Sequence, residues 1–211
     1  MNNWDVSLYL ITDRGLSQGR SHQFIVEEAV KGGVTMVQLR EKEVTTREFY
    51  HLASSLKGVL KSLGIPLIIN DRLDIALAVD ANGLHIGQSD LPYEVARRLL
   101  GKDKIIGLSI ETIQQAREAN TLDVDYIGLS PVFSTATKED ISIPLGLDSV
   151  REIASFTKHK TVAIGGINAS NAGEVMAHGA DGIAVVSAIV SHKDPQVAAC
   201  ELKAIINKVK S

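Results

Sequence analysis

Cysteine, aromatic residues and long hydrophobic runs are all scarce in this chain of 211 residues. The single cysteine, Cys200, excludes an intrachain disulfide and a cysteine-based metal cluster, and its apolar helical context predicts a packed thiol. The longest apolar runs fall far below the roughly 20 residues that span a bilayer. The first residues, MNNWDVS, lack the basic and apolar segments of a secretory signal. These absences predict a cytoplasmic protein that does not contact a membrane.

Neither sign of charge is in large excess. The chain has 22 basic and 25 acidic residues, for a net charge of -3. Such a balance argues against non-specific binding of nucleic acid, which depends on neutralising many phosphates. Hydrophobic residues make up 45% of the chain, enough for one substantial core, so we expect a single domain over 1–211. The pattern leaves a monomer and a homo-oligomer both open.

Short apolar runs rich in β-branched residues recur along the whole chain. Runs of this kind, without strict alternation, are typical of parallel strands that are covered on both faces. Eight of them occur, at 7–12, 36–41, 66–71, 83–87, 105–110, 126–132, 161–167 and 182–189.

Helix-like stretches separate these runs, at 21–32, 45–63, 73–80, 92–100, 111–120, 147–156, 170–178 and 195–209. Thr45 and Glu48 form a capping box at the start of one, and Asp194 with Pro195 begins the last. Eight strand–helix units in this length predict an α/β protein, a single-domain (β/α)8 TIM barrel. A doubly wound open sheet is the competing architecture.

Polar side chains follow nearly every apolar run, where a parallel barrel has its active site. Asp71 and Asp90 are oxygen donors that suit Mg2+, and Arg40, Lys42 and Lys138 are cations that suit a diphosphate. A second anionic site is expected where strands seven and eight end. Its backbone N–H groups and small hydroxyl suit a phosphate monoester, and its residues are Gly165, Gly166, Val186 and Ser187.

Each of these residues also has a plain structural interpretation. Asp71 and Asp90 could be turn formers, and Ser109 could cap the helix that begins near Glu111. His85 lies inside a strand and is expected to be a hydrogen-bonded core residue. No nucleophile elbow, H-E-x-x-H motif or Walker lysine loop is present. The residues that remain favour a reaction driven by stabilising a departing anion.

Seven segments, in order along almost the whole chain, resemble the thiamine phosphate synthase family. They are QLREK (38–42), IND (69–71), GLHIGQSD (83–90), IGLS (106–109), SPVFSTATKED (130–140), AIGGI (163–167) and DGIAVVSAI (181–189). The resemblance implies a (β/α)8 barrel that joins hydroxymethylpyrimidine diphosphate to hydroxyethylthiazole phosphate. Thiamine phosphate and pyrophosphate would be the products, with Mg2+ as cofactor.

The resemblance also implies a role for particular residues. Asp71 and Asp90 would hold Mg2+, and Arg40, Lys42, Ser109 and Lys138 would be catalytic. The pyrimidine diphosphate would be bordered by Gln38, Leu39, Arg40, Glu41, Lys42, Asn70, Ser109 and Lys138. The thiazole phosphate would be held by Thr135, Ala136, Thr137, Gly166, Val186 and Ser187.

Three other functions remain as alternatives to this activity. A related thiazole tautomerase would lack the paired aspartates and the T-x-T-K segment. A non-catalytic barrel that binds thiamine phosphates would be expected to lose Asp71, Asp90 or Lys138, and all three are present. A generic phosphate-binding barrel enzyme would leave QLREK unexplained.

Overall fold

The computed structural model describes residues 4–134 and 143–211, and its centre is a closed barrel of parallel strands. Each strand pairs with the next along the chain, and the last pairs with the first. The predicted (β/α)8 architecture is therefore confirmed. Its strands are β1 (Leu8–Ile11), β2 (Met36–Leu39), β3 (Leu67–Asn70), β4 (Gly83–Ile86), β5 (Ile105–Ile110), β6 (Tyr126–Leu129), β7 (Lys160–Ile164) and β8 (Gly182–Val185).

Helices follow the strands and surround the barrel. They are α1 (His22–Lys31), α2 (Thr46–Leu63), α3 (Leu73–Ala78), α4 (Tyr93–Leu100), α5 (Ile113–Ala119), α6 (Gly146–Phe156), α7 (Ala172–Ala177), α8 (Ser187–Val190) and α9 (Pro195–Lys210). The predicted N-caps are confirmed: Thr45 accepts a hydrogen bond from the N–H of Glu48, and Asp194 accepts one from that of Val197. Within the described ranges, no helix is long and apolar enough to cross a membrane.

The strands divide the core into two layers, because successive side chains point to opposite faces of the sheet. One layer lies between the strands and the helices and contains Leu8, Leu10 and Leu39. The other fills the barrel interior and contains Tyr9, Ile11, Met36, Ile68 and Tyr126. The interior residues close the lower part of the barrel and leave a cavity toward the carboxyl ends of the strands.

Two expectations about the last units are wrong. The predicted eighth strand ran through Ile189, but β8 ends at Val185 and Ser187–Val190 forms the short helix α8. An apolar run alone does not distinguish a strand from a short buried helix. Cys200 is exposed instead of packed, because α9 buries Ala198, Ala199 and Leu202. The helical period turns Cys200 away from that buried face.

Candidate active site

A cavity opens at the carboxyl ends of the strands, and eight of the sequence-predicted site residues line it. Because all eight strands run in one direction, residues far apart in sequence meet at this end of the barrel. The eight residues are Gln38, Arg40, Asn70, Ser109, Gly165, Gly166, Val186 and Ser187.

The segment after β2 brings two cations to the rim of the cavity. The backbone N–H of Arg40 donates to the Thr12 hydroxyl across 3.1 Å, and its guanidinium lies 3.8 Å from Asp13 Oδ2. Lys42 is exposed, yet it and Arg40 both act electrostatically on the carboxylate of Asp71. The two cations therefore face the same region of the rim as the predicted metal ligand.

Two other residues of this segment face away from the cavity. The Leu39 side chain is fully buried in the layer between strands and helices, so only its backbone could border a ligand. Glu41 is 4% exposed at its side chain, and its Oε1 lies 2.7 Å from Nε2 of His22 at the start of α1. Arg14 lies 3.7 Å from the other carboxylate oxygen. Glu41 thus ties the Arg40–Lys42 segment to the body of the barrel.

Asp71 and Asp90 form a pair of carboxyl groups at the ends of β3 and β4. Burial and the neighbouring Asp90 raise the pKa of Asp71 to about 6, while Lys42 and Arg40 pull it down. Asp90 also accepts a hydrogen bond of 2.7 Å from the N–H of Gly87, so its turn-forming role is real as well. The raised pKa indicates that a charged Asp71 is unfavourable beside Asp90. A divalent cation bound to both carboxylates would offset that cost, and carboxylate oxygens are suitable ligands for it.

The backbone of Asp71 explains why this carboxyl is presented to the rim. Its φ of 60° lies in the left-handed region, and its N–H donates to the carbonyl of His85 across 2.9 Å. Among non-glycine residues, Asp and Asn adopt this conformation most readily. Arg72, and not Asp71, occupies the N-cap position of α3, so Asp71 is not the cap of that helix.

A chain of hydrogen bonds crosses the barrel interior below the cavity. Gln38 Nε2 donates to the Tyr9 hydroxyl over 2.9 Å, and that hydroxyl lies 3.0 Å from the hydroxyl of Tyr126. The Tyr126 hydroxyl lies 2.9 Å from Nδ1 of His85, whose Nε2 lies 2.9 Å from Ser109 Oγ. His85 is hydrogen-bonded as predicted, and it also lines the cavity. Ser109 does not cap α5.

Two glycines make room for this chain, and both belong to the repeated IGLS segments. Gly107 pairs with His85 on one side and Tyr126 on the other. A Cβ on Gly107 would lie 2.0 Å from Cζ of Tyr126, and one on Gly128 would lie 3.3 Å from Cε1 of His85. The two rings therefore meet across a strand position that carries no side chain.

The opposite side of the cavity is built mainly from backbone. Gly165 and Gly166 have φ values of 102° and 66°, and a Cβ on Gly166 would lie 2.8 Å from the carbonyl oxygen of Ser134. Val186 and Ser187 begin α8 directly beside them in the wall of the cavity. The first N–H groups of a helix have no acceptor within it, so they suit an anion.

Four predicted site residues fall outside the part of the chain that the structure describes. They are Thr135, Ala136, Thr137 and Lys138.

Comparison with known proteins settles the family. The family model described as thiamine monophosphate synthase (TMP-TENI) matches residues 8–189. The chain belongs to the thiamine monophosphate synthase family. It is 56% identical over 205 residues to the thiamine-phosphate synthase of Syntrophomonas wolfei, an alignment that covers 97% of this chain and 98% of that one. With the Chloroflexus aurantiacus thiamine-phosphate synthase it shares 48% identity over 203 residues, covering 96% and 94%.

Solved structures agree with the family at the level of the fold. Thiamine phosphate pyrophosphorylase from Pyrococcus furiosus superposes with a TM-score of 0.90 at 39% identity, covering 98% of both chains. A 3-hexulose-6-phosphate synthase superposes with a TM-score of 0.69 at 14% identity, covering 94% of this chain and 99% of that one, and shows the shared barrel alone. As a member of the thiamine monophosphate synthase family, this chain is a transferase of thiamine biosynthesis.

Several residues that lie at or near this site are not identified from the sequence. Asp13 follows β1 and faces Arg40, while His22 faces Glu41. Tyr9 and Tyr126 complete the interior chain. The position of Asp13 just after a strand was a usable signal, but the phenols are indistinguishable from ordinary core aromatics in the sequence.

Proposed function

We propose that this enzyme joins 4-amino-2-methyl-5-(diphosphooxymethyl)pyrimidine to 4-methyl-5-(2-phosphooxyethyl)thiazole, releasing pyrophosphate. In this reaction the bond between the pyrimidine methylene and the diphosphate oxygen breaks, and its electron pair leaves with pyrophosphate. The thiazole nitrogen forms the new bond to that methylene. Family membership gives the coarser activity. The two substrates are those that the family resemblance implies, and a cavity with cations on one side and glycines with a helix start on the other fits two phosphorylated molecules.

The observation that carries the proposal is the Asp71–Asp90 pair beside Arg40 and Lys42. Burial and, after it, the neighbouring Asp90 raise the pKa of Asp71 to about 6, and such a pair of carboxylates fits one Mg2+. Asp71 and Asp90 would hold the ion, which supplies positive charge to a departing diphosphate. Arg40 and Lys42 would bind the same diphosphate and stabilise the charge that develops on it.

The remaining predicted residues divide between the two substrates. Gln38, Asn70 and Ser109 line the cavity on the side of Arg40 and would bind the pyrimidine. Gly166, Val186 and Ser187 line the other side and would hold the thiazole phosphate through backbone N–H groups and a hydroxyl. The roles of Thr135, Ala136, Thr137 and Lys138 stay predictions from the family resemblance.

The proposed chemistry requires no covalent enzyme intermediate. The residues that line the cavity bind, orient and neutralise charge, and positioning of this kind removes much of the entropic part of the barrier. Buried side chains fill the barrel interior below the cavity. The predicted cytoplasmic location is part of the same proposal, since both substrates are small phosphorylated molecules.

The test is an assay that measures thiamine phosphate and pyrophosphate together, with both phosphorylated substrates and Mg2+ present. We expect the two products in equal amounts, and none when either substrate is omitted or a chelator is added. Asp71→Asn should lose most activity, whereas Glu43→Gln, an exposed carboxylate outside the cavity wall, should keep it. A folded protein that binds the thiazole phosphate but forms no product would favour the thiazole tautomerase or the non-catalytic barrel that binds thiamine phosphates.

A further inference from the structure

Two residues assigned above to the pyrimidine, Gln38 and Ser109, are the two ends of one interior hydrogen-bond chain. Tyr9, Tyr126 and His85 connect them through links of 2.9–3.0 Å. Both phenols are 1% exposed, and burial raises the pKa of each, so both stay protonated at neutral pH. The connection between the two ends therefore includes two phenols that each keep their proton.

The protons of such a chain must all point in one direction. Gln38 donates from Nε2, so the Tyr9 O–H is directed to Tyr126, and the Tyr126 O–H to Nδ1 of His85. An imidazole that accepts at Nδ1 carries its proton on Nε2, and His85 then donates it to Ser109. If a single link were reversed, the proton of a fully buried phenol would lose its acceptor, and an unpaired buried donor is costly.

The direction of the chain decides what each end offers to the cavity. Ser109 accepts from His85, so its own O–H can donate to a ligand. Gln38 uses its N–H on Tyr9, so its Oε1 is the atom that can accept from a ligand, and no described residue donates to it. Reversing every hydrogen bond of the chain would make Ser109 the acceptor and Gln38 the donor. In either direction, one end donates to a ligand and the other end accepts from it.

We propose that Tyr9, Tyr126 and His85 are positioning residues that make the site selective for an aminopyrimidine. The chain holds Ser109 as a donor to a ring nitrogen and Gln38 as an acceptor for the exocyclic amine. This inference rests on the proposed function. A 4-oxo analogue has a carbonyl in place of the amine. Its carbonyl oxygen would face Oε1 of Gln38, and two acceptors cannot form a hydrogen bond with each other. The chain would have to reverse completely to bind it.

The first test observes the imidazole directly and does not depend on activity. Nitrogen-15 NMR of the full-length protein without substrates, with His85 assigned from a His85→Asn variant, reports which nitrogen carries the proton. We expect the proton on Nε2. A proton on Nδ1, or on both nitrogens, would overturn the proposal. Failure of the coupling reaction with the expected tautomer present would instead count against the proposed function.

Two phenol variants separate this role from simple packing. In Tyr9→Phe, the Tyr126 hydroxyl still has Nδ1 of His85 as its acceptor, so the Nε2–H tautomer should persist. In Tyr126→Phe that donor is lost, so the preference for the Nε2–H tautomer should weaken. Met36→Leu is the control, because it alters the same interior layer without touching a hydrogen bond.

Substrate selectivity supplies the second readout. The ratio of kcat/KM for the 4-amino diphosphate to that for its 4-oxo analogue should fall by about tenfold or more in Tyr126→Phe. It should be the same in Met36→Leu as in the wild type. An unchanged ratio in a folded Tyr126→Phe protein would refute the positioning role. If that variant does not fold, the wild-type tautomer decides the question alone.

Discussion

Replacing Asp71 by Asn should make the metal-free protein more stable at pH 8, although it should also destroy the proposed metal site. The change removes one of two adjacent carboxylate charges and keeps the size of the side chain. Asn also tolerates the left-handed φ of 60° at this position, so the backbone is unaffected. The variant therefore removes the cost of keeping a partly buried, charged Asp71 beside Asp90.

The size of the effect follows from the pKa of Asp71, which rises from 3.8 to about 6. A shift of this size in a fully buried group corresponds to roughly 3 kcal/mol. Asp71 is only half-buried, and solvent screening reduces the expected gain to about 1 kcal/mol. The protonated carboxyl is favoured in the folded state, so its contribution is fully present below about pH 4. It is lost as the pH rises through about 6.

Urea unfolding in a chelator, at pH 5 and at pH 8, measures this difference. Asp71→Asn should exceed the wild type by about 1 kcal/mol at pH 8 and by clearly less at pH 5. Adding Mg2+ should stabilise the wild type and leave the variant unchanged, because a ligand stabilises only the state that binds it. Asp74→Asn is the control of opposite sign, since Arg72 lowers the pKa of Asp74. A metal-free Asp71→Asn protein less stable than wild type at pH 8 would refute the reasoning.

Three further substitutions test other parts of the site. Gly107→Ala should lower the free energy of unfolding in urea by about 1–3 kcal/mol, because its Cβ would overlap Tyr126. The control Gly58→Ala has open space in α2 and should raise it by about 0.5–1 kcal/mol. Equal effects of the two substitutions would contradict the packing argument. Glu41→Gln should raise KM for the pyrimidine diphosphate several-fold by loosening the Arg40–Lys42 segment; an unchanged KM would mean that the His22 contact positions nothing. Gly166→Ala should raise KM for the thiazole phosphate, because its φ of 66° and the nearby Ser134 carbonyl leave no room for Cβ. Its KM for the pyrimidine should change less.

The sequence was sufficient to predict the barrel, because each strand is a short apolar run followed by a helical period. It also predicted the positions of Asp71, Asp90 and Arg40 on one rim, since parallel strands bring their carboxyl ends together. It could not separate β8 from α8, because both are apolar and buried.

Individual side-chain directions were harder to predict than the rim itself. Leu39 and Glu41 lie within a cavity-bordering segment, yet their side chains face the helices and His22. His22, which contacts Glu41, lies 19 residues earlier in the sequence, and no local sequence pattern predicts this contact. Tyr9 and Tyr126 belong to different strands, and only the closed barrel places their hydroxyls 3.0 Å apart.

Gly107 limits the ways in which this protein can be made more stable. Glycine is a poor strand residue, and replacing it with a β-branched residue is an ordinary route to a firmer sheet. At this position any side chain would separate His85 from Tyr126, which now meet across the bare backbone. Replacing Gly107 is therefore not a way to stabilise this protein. The strand keeps a residue of low β-propensity at the position where the interior hydrogen bonds are aligned.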